Sequence, residues 1–305
     1  MPSKSWTLTG ILAAFGGGIF GAAIGALPAF EFVGFLVIVG VGIQMATGQS
    51  TFFGIPFGAF GPHVGGFASG VAAVAYAARR GKTETGRNIA AGMMGLNSPD
   101  VLLIGGLFGI FGYVVQWALN LIPGFGAGLA WTDTVALTVV ISAIVARLIF
   151  GKTGLFGKVG TGQHRYAPTD STKWLAWQSK PLQLVVIGLG VGLMAGFLAV
   201  EFGSPGVFLA FGIAAASLIL LQFGVQIPVT HHIALPSAIA AAASGSIIWG
   251  GVFGILCAFV GEFMADTFLV HGDTHIDPPA ATIAPMTTIA NALVALGLFS
   301  VIQLP

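Results

Sequence analysis

A chain of 305 residues with 56% hydrophobic residues, 7% charged residues and a mean hydropathy of +0.95 has too few charges to cover a water-facing globule. A soluble domain of this length carries about 25% charged residues. The net charge of +1 gives no case for a nucleic-acid partner, and the single cysteine, Cys257, cannot form an intramolecular disulfide.

Continuous Ala- and Leu-rich runs recur from the first residues to the last, without the alternation of a β-barrel. The chain therefore reads as an all-α polytopic membrane protein of about ten transmembrane helices, with the bilayer as its principal partner. In chain order the predicted spans are approximately 7–27, 32–49, 62–79, 100–121, 132–150, 182–201, 206–224, 231–246, 247–270 and 280–301. The opening MPSKSW leads into an apolar run with no A-x-A-like cleavage site, so the first span is read as retained.

The basic residues order these spans. Lys4 stands alone, Arg79, Arg80, Lys82 and Arg87 form one cluster, and Arg147, Lys152, Lys158, Arg165, Lys173 and Lys180 form another. Two spans separate the clusters, so both face one side, which the positive-inside rule makes the cytoplasm. Both termini are then expected outside, with the protein in the cell (plasma) membrane. Trp174-Leu-Ala-Trp177, flanked by Lys173 and Lys180, predicts a short helix lying in the headgroup region.

The chain divides into residues 1–150, a cytoplasmic loop 151–181, and residues 182–305, and the two long parts resemble each other. Gly17, Gly21 and Gly25 recur as Gly188, Gly192 and Gly196, and Ile55-Pro56 recurs as Ile227-Pro228. Ile104-Gly-Gly-Leu-Phe-Gly-Ile110 recurs as Trp249-Gly-Gly-Val-Phe-Gly-Ile255, the register change being absorbed by loop 79–99. With five spans in each half, an odd number, the second half enters from the other side. The expected plan is a 5+5 inverted repeat with interrupted helices and a site near the midplane. In architecture this plan resembles urea channels and sodium-coupled symporters. Neither family's site motifs occur here, so no residue is carried over.

Two apolar stretches look broken. Residues 51–66 carry Ile55, Pro56 and His63, and residues 223–236 carry Ile227, Pro228, His231 and His232. Proline removes a backbone donor, and irregular backbone at membrane depth persists only where protein or water satisfies it. Matched interruptions point to a solute site, and the histidines to solute contact or proton relay. Glu262 and Asp266 lie one turn apart on one helix face, and carboxylates at that depth are costly enough to suggest function. His271, Asp273, His275 and Asp277 alternate along an extended stretch, a mixed donor set that suits a divalent metal.

No nucleophile elbow, Walker loop, HExxH or dinucleotide fingerprint occurs. The leading expectation is a transporter or channel-like facilitator for a small polar solute or ion, with a divalent metal or coupling cation as candidate cofactor. An intramembrane metal-dependent enzyme and a non-catalytic scaffold subunit are the alternatives, and a homo-oligomer is compatible with all three.

Overall fold

The computed structural model describes residues 7–124 and 131–302, so Lys4 lies outside the described residues. The fold is all-α, with eleven α-helices among the described residues. Thr7 caps α1 (Leu8–Ile24) by accepting from Gly10 N at 3.0 Å. Gly25, at φ 102°, then turns the chain directly into α2 (Ala26–Thr47), a conformation that favours glycine. The turn is tied to the first basic loop, where Leu27 N donates to Ile89 O at 2.9 Å.

After α2 the helix gives way to a tight turn at Thr51–Gly54 and a wide one at Ile55–Ala59, and further turns lead to α3 (Ala68–Arg79). α3 is short and buried almost throughout. Loop 80–98 is fastened by Lys82, which reaches Ser98 at 2.8 Å and Asp100 at 3.0 Å. There follow α4 (Pro99–Leu121) and α5 (Thr134–Phe150), the latter capped by Asp133 on Ala136 N at 2.8 Å.

The second half runs α6 (Pro181–Phe202), α7 (Ser204–Ala216), α8 (Ile219–Gln222), an extended stretch 223–230, and the short buried α9 (His231–Ser244). Next come α10 (Ile247–Met264), prolonged by a wide turn at Ala265–Leu269, a loop 270–277, and α11 (Pro278–Ala295). Asp277 caps α11 on Ala280 N at 2.8 Å, as Asp133 caps α5.

Five segments have the length and composition to cross a bilayer: Ala26–Thr47, Pro99–Leu121, Pro181–Phe202, Ser204–Gln222 and Ile247–Leu269. The protein is a multi-pass membrane protein by that criterion. Large apolar side chains cover the outside of these helices, with Leu182 75% and Ile248 70% exposed, and they meet lipid.

Packing repeats from half to half. α1 packs on α4 and α6 on α10; α3 touches α4 and α5 as α9 touches α10 and α11. Between the halves, α2 meets α7 and α5 meets α11. The α2–α7 pair is antiparallel: Glu31 reaches Gln222, Gly34 faces Ala215 and Ala216, and Val37 and Ile38 face Gly212. Glycine brings the helices to backbone contact. Gly188 and Gly192 abut α10 at Gly254 and Gly250. In α1, however, Ala14, Gly18 and Ala22 meet α4, while Gly17 and Gly21 turn to the backbone of Ala59 and Gly65. The glycine series matched by sequence therefore has different neighbours in the two halves.

Candidate functional site

α9 opens with His231 and His232, which are 6% and 0% exposed. The His231 ring lies 4.7 Å from Phe30 of α2 and 6.3 Å from Phe211 of α7, and His232 lies 5.9 Å from Trp174. His231 Nδ1 and both ring nitrogens of His232 have no hydrogen-bond partner among the described residues. A methyl group on Gly261 of α10 would collide with the His232 ring, so the absence of a side chain there makes room for it.

Phe30 also meets Phe67, the residue before α3, at 5.9 Å. One ring thus joins the starts of both short helices. The first interruption leans on the same cluster: Phe53 and Phe57 lie 5.2 Å and 5.3 Å from Phe208, and Phe57 lies 6.3 Å from Phe211. Within it Pro56 is buried and Ile55 is exposed. His63 is 2% exposed and its Nδ1 has no partner among the described residues. Its carbonyl packs against Gly112 of α4, where a methyl would overlap it.

The second interruption is held from outside. Trp177 Nε1 donates to Ile227 O at 2.9 Å, and Gln178 accepts from Val229 N at 2.9 Å and donates to Val229 O at 3.2 Å. Pro228 is half-buried beside this clamp. The Trp174–Trp177 stretch is a set of turns, not the expected interfacial helix. Leu175 and Gln178 are buried because the segment inserts against α9 and the extended chain before it, where its amide and indole satisfy open backbone groups.

Trp174 and His275 also line a cavity of about 430 Å³, together with Thr85, Arg87, Asn88 and Leu269. Arg87 Nη1 donates to Val270 O at 3.3 Å. Asp277 lies within electrostatic reach of His231 and His232 and accepts from His275 Nε2 at 3.3 Å.

The expected metal set does not converge. Asp273 accepts from Lys152 N at 2.6 Å and Thr153 Oγ1 at 2.7 Å, His271 Nε2 meets Arg165 O at 3.1 Å, and His275 turns to Asp277. Among the described residues no group of three His, Cys, Asp or Glu side chains is placed to hold a metal ion. Asp273 and His271 instead fasten loop 270–277 to loop 151–166, while His275 and Asp277 pair at the start of α11. Glu262 on α10 and Asp266 in the wide turn that prolongs it are half-buried; Lys173, itself 2.8 Å from Asp170, lies within electrostatic reach of both, and His271 within reach of Asp266.

Two charged residues escaped the sequence reading. Arg147, 1% exposed, donates to Thr274 Oγ1 and Leu155 O at 2.9 Å each, and also to Phe268 O. Glu31, 3% exposed, accepts from Gln222 at 2.9 Å. Glu31 was legible as a lone acid in an apolar run; Arg147 looked like one more cytoplasmic cation.

The profile of a family of unknown function (DUF7973) matches residues 1–172 and, a second time, residues 160–304. The chain belongs to this family. Its two matches divide the chain where loop 151–180 joins the halves. No curated protein and no solved structure matches the chain.

Proposed function

We propose that the protein moves a small polar solute or ion across the membrane, along a path between two halves of opposite orientation. The observation that carries this reading is a pair of matched devices. Each interruption leads towards a short buried helix, with a buried histidine and, six residues on, a buried serine: His63, in the turns before α3, with Ser69, and His231, at the start of α9, with Ser237. All four have a ring nitrogen or hydroxyl without a partner among the described residues. Buried polar groups are normally satisfied, so four unsatisfied ones beside the two interruptions call for a ligand or water.

Several features support the inverted repeat behind this path. One family profile fits both halves. The capping pairs recur, since Asp133 with Thr138 and Asp277 with Thr282 share their spacing, and both threonines donate to the carbonyl four residues back. α2 and α7 are equivalent by sequence and antiparallel, which an axis in the membrane plane produces and an axis along its normal does not. With α3 and α9 completing crossings begun by the interruptions, the ten predicted crossings follow. Basic loops 80–98 and 151–180 then face the cytoplasm, and the described ends of the chain face outside.

The test is flux into proteoliposomes of the purified protein, with urea, glycerol, rubidium and chloride as probes. At least one probe should move faster than in protein-free vesicles, and His231→Ala or His63→Ala should slow it about tenfold or more while leaving the melting temperature within a few degrees. Unaltered flux in both variants would overturn the proposed path.

A further inference from the structure

We infer that the solute is a small cation of the ammonium class, bound between the carboxylate of Asp277 and the imidazoles of His231 and His232. This rests on the transport reading above and names its substrate class.

Asp277 decides the sign. Its side chain is 13% exposed, and it lies within electrostatic reach of both histidines at the start of α9. A carboxylate offers about four lone pairs. Asp277 meets His275 Nε2 at 3.3 Å with one oxygen and Ala280 N at 2.8 Å with the other, which leaves acceptors open. Arg87 lines the cavity beside His275, but it is half-exposed, donates to Val270 O, and stands among the exposed Thr85 and Asn88. Water screens a charge in that position far more than one in the place of Asp277. The other basic groups of this region are engaged: Lys82 with Asp100, Lys173 with Asp170, and Arg147 with Thr274 and Leu155. Glu262 follows the Gly261 that abuts His232, so α10 brings a further carboxylate to the neighbourhood.

The remaining acceptors decide which cation. His232 is 0% exposed, and neither ring nitrogen has a partner among the described residues. A neutral imidazole has one acceptor nitrogen whichever tautomer it takes, so His232 keeps an acceptor open. His231 Nδ1 is open as well. The rings of Phe30, Phe67 and Trp174 lie 4.7 Å from His231, 5.7 Å from His275 and 5.9 Å from His232. A hard metal cation asks for a shell of oxygens. A transition metal asks for several ligating side chains, and among the described residues no three are so placed. An ammonium group gives N–H donors to imidazole and carboxylate alike, and aromatic faces attract its charge. His275 and Trp174 line the cavity of about 430 Å³, so these acceptors stand one side chain behind it.

The test uses the full chain in proteoliposomes at pH 6, where almost all of an alkylamine is charged. Uptake of labelled methylammonium is measured beside rubidium, tetramethylammonium, chloride, urea and glycerol, each against protein-free vesicles. Methylammonium should enter fastest, and its flux should fall about tenfold or more in Asp277→Asn, since asparagine keeps the helix cap and removes the charge. Asp277→Glu should keep part of it. His232→Gln, whose amide oxygen accepts, should retain more flux than His232→Leu at equal melting temperature, a comparison that stands even where Asp277→Asn does not fold. Movement of chloride, urea or glycerol without methylammonium would overturn the cation and leave the transport reading standing. Rubidium or tetramethylammonium moving as fast as methylammonium would overturn recognition through N–H donors. Methylammonium flux indifferent to Asp277→Asn would overturn the site, and no movement of any probe would overturn both readings.

Discussion

Arg147 keeps a full charge at 1% exposure because its planar fork meets Thr274, Leu155 and Phe268 at once. Arg147→Leu leaves those carbonyls buried and open, at a cost of about 3 kcal/mol or more. A marked fall in the melting temperature of the detergent-solubilised protein is expected, and Arg147→Lys should recover only part of it, because an ammonium cannot reproduce the fork. Asp273 works on the other side of the same loop. Burial pushes its carboxyl up, but Thr153, the Lys152 N–H and Arg147 outweigh that and hold it below the ordinary aspartate range. The unfolded carboxyl binds its proton first as pH falls, so the contribution is present above about pH 4 and is lost as pH drops through the folded value. Acid titration of melting temperature should show this limb in the wild type and a flatter one in Asp273→Asn.

At the level of elements, the seams between helices are set by backbone contact. A methyl on Gly109 would overlap Ala14 O, and one on Gly254 would overlap Gly188 O, while Gly42 and Gly190 have open space around them. Gly109→Ala and Gly254→Ala should each cost about 1–3 kcal/mol, whereas Gly42→Ala and Gly190→Ala should be neutral or stabilising by up to about 1 kcal/mol. Thermal unfolding in detergent separates the two pairs. The same seams show what the sequence could and could not reveal. Hydropathy runs located α4 and α6 to within a residue or two, because a bilayer imposes length and apolarity on any span. The face of α1 that meets α4 was not legible, since glycines occur on both faces and only the neighbour decides between them. The interruptions were visible from proline and histidine, but the Trp174–Gln178 clamp was not: two tryptophans beside lysines satisfy an interface and a buried contact equally well. The His271–Asp277 pattern misled because alternation fixes a side of the chain and leaves unsaid which backbone that side meets.

In the whole molecule, the twofold match of one family profile, the antiparallel α2–α7 pair and the repeated capping residues all follow if two halves were joined upside down to one another. The short helices α3 and α9 then approach from opposite faces, which is what a path open alternately to either side requires. The most direct measurement is side-specific labelling of two equivalent exposed positions, Thr51 and Phe223, each changed to cysteine in a Cys257→Ser background. Sealed right-side-out and inside-out vesicles are treated with a membrane-impermeant thiol reagent. Thr51→Cys should react in right-side-out vesicles only, and Phe223→Cys in inside-out vesicles only. Reaction of both from the same side would contradict the inverted arrangement.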